Sequence, residues 1–267
     1  MDHHQTTWGR PRSDVYGPYD MKIHAADNSM PKVHTQQPTV TGTSVIAIKF
    51  DKGVMMAADT LASYGSLARF DDQQRIFKVG DETIVGVGGD ISDLQALERK
   101  LEKLEIEENY ESDGHSLRAR HVYSYLSRVM YNRRSKMDPL WNAVLVAGLE
   151  DGKPILSYVD LLGVKYSAPA LATGFGSHLA LPLLRQVVDK EGDEANLTEE
   201  EARKLLDKCM KVLFYRDARS LDKYTLATVK AEAAGSKPQV TIEKDIKLTD
   251  MSWRFAQHIR GYGTQTE

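Results

Sequence analysis

Gly42-Thr43-Ser44-Val45-Ile46-Ala47-Ile48-Lys49-Phe50 runs through Asp51-Lys52 into Gly53-Val54-Met55-Met56-Ala57-Ala58-Asp59. The stretch reads as strand, tight turn, strand, with an aspartate closing the second strand. Val45–Ile48 and Val54–Ala57 are nearly unbroken apolar runs, the pattern of strands covered on both faces. Asp51-Lys52-Gly53 supplies the hairpin turn.

Working outward, Arg75–Val79 and Thr83–Val87 read as a further strand pair around Gly80-Asp81. The period then changes. Ile91, Leu94, Leu97, Leu101 and Leu104 recur at helical spacing, with Asp90 placed to cap the first turn. A second helix carries Leu117, Val122, Leu126, Val129 and Met130 and ends before Asp138-Pro139, because proline disfavours helix at the preceding residue. Ala143–Ala147 and Pro154–Val159 read as strands about the turn Asp151-Gly152. Ser177–Asp189 reads as a third helix bearing Leu179, Leu183, Leu184 and Val187. A capping box at Thr198–Glu201 opens a fourth with Ala202, Leu205, Leu206, Cys209, Met210 and Leu213 on one stripe. Tyr224–Val229 and Gln239–Ile242 close the strand content. Strands, two helices, strands, two helices, strands is not a βαβ alternation; it is the order of helix layered on sheet, an α+β class.

The chain has 267 residues and a formal net charge of −3, enough length for a full core and no concentrated basic face that would recruit nucleic acid. Cys209 is the single cysteine and lies on an apolar helix face, which makes it a structural thiol of a reducing compartment. Residues 1–34 are polar and unperiodic, with no apolar run for a secretory signal or a membrane span, and read as a disordered leader. The eight histidines fall at no metal-ligand spacing, and no cofactor fingerprint is present: Gly86-Val87-Gly88-Gly89 lacks the dinucleotide spacing. Gly174-Phe175-Gly176-Ser177-His178 is not a serine-hydrolase elbow, because the nucleophile should stand between the glycines.

The opening hairpin, with Gly42-Thr43 ahead of it and Asp59 at its close, resembles a proteasome β subunit of the N-terminal-nucleophile hydrolase superfamily. The resemblance runs from about Thr35 to the chain's last residues. It implies a four-layer αββα sandwich, two stacked sheets between two helix layers. In active members the freed threonine is nucleophile and its own α-amine is the base. Residue by residue, Asp59 matches the family aspartate, but Arg75 stands where an activating lysine is expected. Gly89 matches the oxyanion glycine. Phe175 replaces a supporting serine in Gly174-Phe175-Gly176, and Asp217 and Ser220 match the later Asp-x-x-Ser pair, with Leu221 in place of the usual glycine. Arginine stays protonated and its planar fork cannot substitute for a compact ammonium. The resemblance therefore implies a site in which Thr43, Asp59, Arg75, Gly89, Phe175, Asp217 and Ser220 are vestigial. Asp59 and Arg75 are expected to pair; Asp59, Asp217 and Ser220 are read as structural, an Asp at a strand end and a Ser near a turn satisfying backbone N–H groups. The alternative is an active threonine endopeptidase using Thr43 after cleavage at Gly42.

Within the family, Thr35–Pro38, Ser63–Leu67, Arg133–Trp141 and Tyr215–Ser220 resemble the β7-type branch, called β type-4 in animals, in its fungal form. That branch implies trimming at His34-Thr35, a β-subunit domain over 35–247 and a tail over 248–267. It implies a non-catalytic role in completing the β ring of the 20S core and joining half-particles, in cytoplasm and nucleus. The first two helices would face the α ring and the last two the opposing β ring. Partners would be the other α and β subunits, including ring neighbours and the β1-type and β2-type subunits of the opposite ring, with assembly chaperones. Neither nucleic acid nor membrane is expected. Arg133, Arg134 and Trp141 combine arginine and aromatic groups and are candidate interface residues. So are Trp253, Phe255, Ile259 and Tyr262, which follow the last strand and are too aromatic for a free tail. An uncleaved flexible terminus and a free-standing chaperone or binding protein remain open readings.

Overall fold

The predicted hairpin is present, in the middle of a five-stranded sheet. A computed structural model describes residues 37–111, 114, 116–150, 152–231, 237–249 and 251. Its strands are β1 (Val40–Gly42), β2 (Val45–Phe50), β3 (Gly53–Asp59), β4 (Ala62–Tyr64), β5 (Leu67–Phe70), β6 (Ile76–Val79) and β7 (Thr83–Asp90). Helices α1 (Ile91–Glu111) and α2 (Ala119–Ser135) follow, then β8 (Asn142–Glu150), β9 (Lys153–Asp160), β10 (Lys165–Ser167) and β11 (Ala170–Ala172). Two short helices, α3 (Gly176–Leu179) and α4 (Leu181–Arg185), precede a 3₁₀ turn at Asp193–Asn196. The chain continues through α5 (Glu199–Arg216), β12 (Lys223–Lys230) and β13 (Gln239–Lys247).

One sheet has the order β10-β9-β8-β7-β1-β4-β5, with β6 also on β7; the other has β11-β2-β3-β12-β13. The alternation within the apolar runs explains the layers. In β2, Val45 and Ala47 face Ile84, Leu145 and Leu156 of the first sheet. Ile46, Ile48 and Phe50 point the other way, onto Leu184, Leu206, Cys209 and Leu213 of α4 and α5. The first sheet's far face, with Val85, Val87, Val144 and Val146, is covered by Leu94, Leu97, Leu101, Val122, Leu126 and Met130 of α1 and α2. Three apolar interfaces stack four layers, the αββα sandwich. Burying each such side chain contributes about 1.5–3 kcal/mol relative to exposure, which is why neither sheet could stand without its helices.

Local signals place the helix starts. Asp90 Oδ1 accepts the N–H groups of Ser92 and Asp93 at 2.8 and 3.1 Å and caps α1. Thr198 and Glu201 form the capping box of α5.

Three expectations are corrected. Gly42 does not run on into β2: it ends a strand of the first sheet, and the chain crosses to the second sheet at Thr43-Ser44. Leu117 precedes α2 rather than riding on it. The single helix expected over Ser177–Asp189 is two short ones ending at Arg185, with Val188 in the core and Val187 exposed. Pro182 has no N–H to offer the His178 carbonyl, so the ladder breaks there. The short strands β1, β4, β5, β10 and β11 went unread, since three or four residues carry too little period. The leader over 1–34 and nearly all of the tail over 248–267 lie outside the described residues.

Candidate functional site

Thr43 sits where the chain passes from one sheet to the other, so groups from both sheets converge on it. On its upstream side, β1 is held between β4 and β7, with Gly42 in register with Gly89. Thr39 N–H, just before β1, donates to Asp90 Oδ2 at 3.0 Å. The segment preceding Thr43 is thus part of the first sheet.

Arg75, immediately before β6, is almost wholly buried under this crossing. Its guanidinium donates to the Thr43 carbonyl at 2.9 Å, the Ser44 carbonyl at 3.0 Å and the Asp59 carbonyl at 3.0 Å. It also forms an ion pair with Asp59 Oδ1, the expected pairing. Gly42 lies so close over Arg75 that an added Cβ would overlap its Cδ. Asp59 Oδ2 accepts Leu221 N–H at 3.2 Å. Burial pushes the Asp59 carboxyl above its ordinary value, and Arg75 beside it pulls it back toward ionisation. Every Arg75 contact named here is to a carbonyl or to Asp59; the Thr43 hydroxyl goes elsewhere. Its Oγ1 donates to Asp217 Oδ2 at 2.5 Å.

Asp217 is the C-cap of α5, and its other oxygen accepts Arg219 N–H at 3.0 Å. Ser220 does not satisfy an N–H as expected: its hydroxyl donates to the Leu213 and Asp217 carbonyls at 3.1 and 2.7 Å, closing the helix end. Phe175 is 57% exposed on the rim. A cleft of about 650 Å³ brings Thr43, Gly89, Trp141, Phe175, Asp217 and Arg219 onto one surface. Asp59 and Arg75 lie beneath it rather than in its wall.

Three residues that sequence reasoning missed hold this geometry. Ser44 Oγ accepts Gly176 N–H at 2.8 Å, tying the crossing to the turn that carries Phe175. Thr173 Oγ1 accepts Val45 N–H at 2.9 Å. Asn142 Nδ2 donates to the Gly88 and Asp90 carbonyls at 3.1 and 2.9 Å. Small polar residues at the ends of apolar runs were the available signal, and it is a weak one.

The two arginines at the end of α2 differ. Arg133 is turned inward onto the Asp138 carbonyl and carboxylate at 2.7 and 3.0 Å. Arg134 lies 5.9 Å from the Tyr131 ring centre. Trp141 is 38% exposed. His34, Thr35, Trp253, Phe255, Ile259 and Tyr262 lie outside the described residues. Among the described residues, no cluster of three or more His, Cys, Asp or Glu could hold a metal ion, and no helix is long and apolar enough to cross a membrane.

A family model described as "Proteasome subunit" matches residues 39–229. Proteasome subunit beta type-7 of Saccharomyces cerevisiae is 48% identical over 270 residues, covering 99% of each chain. Probable proteasome subunit beta type-7 of Schizosaccharomyces pombe is 49% identical over 261 residues, 97% of this chain and 96% of that one. Proteasome subunit beta type-4 of Xenopus laevis is 47% identical over 241 residues, 90% of this chain and 96% of that one.

Proposed function

The chain belongs to the proteasome subunit family, and from that premise we propose that it is a non-catalytic member of the β ring, completing the ring and helping two half-particles join. Its contribution to proteasomal protein degradation is architectural.

One observation carries the non-catalytic reading: the Arg75 guanidinium is committed to the Thr43, Ser44 and Asp59 carbonyls and to the Asp59 carboxylate. A threonine hydroxyl needs a base and a positive neighbour to become a nucleophile. Arginine neither gives nor takes a proton at neutral pH, and this one is aimed at main-chain oxygens. The base in this family would be the free amine of Thr43. Gly42 is the last residue of a strand paired to Gly89, so keeping the upstream segment keeps that pairing, and a retained segment leaves Thr43 without the free amine.

The rival, an active threonine endopeptidase, draws on the Thr43–Asp217 hydrogen bond and on the cleft beside it. N-terminal sequencing of the chain from purified particles separates the two readings. A first residue at or near Thr35 supports the scaffold; a first residue at Thr43 overturns it.

The remainder of the reading is that trimming falls at His34-Thr35 and that α ring and β ring neighbours flank the chain. The tail over 248–267 crosses to the β1-type and β2-type subunits of the opposite ring, anchored by its aromatic residues. Assembly chaperones attend the process in cytoplasm and nucleus. Native mass spectrometry tests the assembly claim: the chain should be found almost wholly in a very large particle, and a free monomer or homodimer would overturn it.

A further inference from the structure

The end of α2 departs from ordinary helix termination. Met137 sits at φ +55, in the left-handed region that usually falls to glycine after a helix. The backbone geometry is that of a helix stop, with Met137 N–H on the Arg134 carbonyl at 3.0 Å and Asp138 N–H on the Arg133 carbonyl at 3.1 Å. A glycine would serve this turn with less strain. The side chain that the position carries instead is 83% exposed, so the fold of this chain makes little use of it.

Met137 is not isolated. The turn between β9 and β10 lies against the same end of α2: a Cβ added at Gly163 would fall 2.9 Å from the Tyr131 ring. That close approach leaves Leu162, Val164 and Tyr131 each more than half exposed beside the helix end. Two cations flank these groups, one at the end of α2 and one about two turns back along it. Arg134 lies over Tyr131 and Lys165 over Tyr123 at 5.6 Å, and among the described residues neither forms an ion pair. Asp138 is paired with Arg133, and Asp160 is held in the turn by the Leu162 and Val164 N–H groups, an anion that an incoming partner would have to face away from. Exposed apolar groups with unpaired cations at their edge match a partner that brings carboxylates and an apolar face. Methionine, unbranched and polarizable, adapts to such a contact.

Building on the assembly reading above, we propose that the end of α2 and the β9–β10 turn form a docking surface for an acidic segment of a neighbouring subunit. Met137 is the apolar anchor, and Arg134 and Lys165 are the charge contacts. Arg133, held inward by Asp138, serves the turn rather than the partner.

The test places a benzophenone photo-crosslinking residue at Met137 of the full chain, purifies the assembled particle, and identifies the cross-linked peptide by mass spectrometry. The expected result is a cross-link to another subunit, at a segment with Asp or Glu next to the linked residue. Cross-link yield should fall several-fold in the Arg134→Glu, Lys165→Glu background and return when the linked acid is changed to lysine. A chain that enters the particle but gives no cross-link overturns this surface and leaves the assembly reading standing. A cross-link to its own tail, to a second copy of itself, or to a neutral or basic segment does the same. A chain that never enters the particle overturns both.

Discussion

Arg75 is one of the largest fully buried side chains among the described residues, and its surroundings decide what a substitution there or nearby would do. A buried guanidinium is costly to desolvate, so its ion pair adds little net stability while intact. Removing one partner is different, since it strands a charge. Asp59→Ala should therefore lower the stability of the chain, or its incorporation, by about 3–5 kcal/mol in denaturant titration; a variant that melts like wild type would refute the buried pair. Thr43→Ala should leave the peptidase activities of the assembled particle unchanged, and loss of one activity with assembly intact would end the non-catalytic reading. Cys209 gives a pH prediction. Burial pushes its thiol up to about 12 from 9.0. The folded chain holds that proton after the unfolded chain has lost its own, so the contribution is intact below about pH 9. It is lost on the way up to about 12, at about 1.4 kcal/mol per pH unit. Alkylation of the native chain at pH 8 should be slow, while the urea-unfolded chain should react readily. Rapid native labelling would show that the helix face opens.

At the scale of elements, chain breaks and caps set the geometry of the site. The split of α3 from α4 at Ala180 and Pro182 lets the turn at Gly174–Gly176 sit over Ser44, where one continuous helix would have a different entry. Asp217 ends α5 and at the same time receives the Thr43 hydroxyl, so the carboxylate that holds Thr43 is also a helix terminus. The capping box at the other end of α5 is remote from the cleft. Thr198→Ala should cost roughly 1 kcal/mol of stability and leave particle activity untouched. Thermal melting of the variant checks this, and an unchanged midpoint would show that the packing of α5 on the second sheet makes the cap redundant.

For the whole molecule, the sandwich offers two helix layers to two sides, α1 with α2 and α4 with α5, each already seated on its own sheet. The proposed scaffold role would use such rigid outer faces, because a surface that must first be ordered adds a cost to association. Ordering a terminal segment costs roughly 1–2 kcal/mol per residue of backbone entropy, which only buried aromatic anchors in the tail could offset. Deleting Met251–Glu267 should leave the domain folded and cause half-particles to accumulate. Sedimentation of particles from the truncated strain reads the ratio directly, and a normal ratio would mean that the tail has no clasping role.

The sequence by itself determined that helices layer on sheet, while the four-layer arrangement rested on the family resemblance. Val45–Phe50 and Gly53–Asp59 are apolar on both faces, so each needed a cover on both sides, and helices of matching apolar stripe stood nearby in the chain. It also determined the chemical character of the site, because Arg75 and Phe175 can be read as residue types before their positions are known. Only the tertiary structure decided where the chain changes sheets and what Arg75 holds. The pairs that fix those points are Gly42 with Gly89, Ala172 with Ile46, and Arg75 with the Thr43 and Ser44 carbonyls. Each joins residues far apart in sequence through main-chain groups or three-residue strands. Main-chain groups are the same at every position, and so short a strand has no period. Neither leaves a mark that could be read before the sheets had closed on one another.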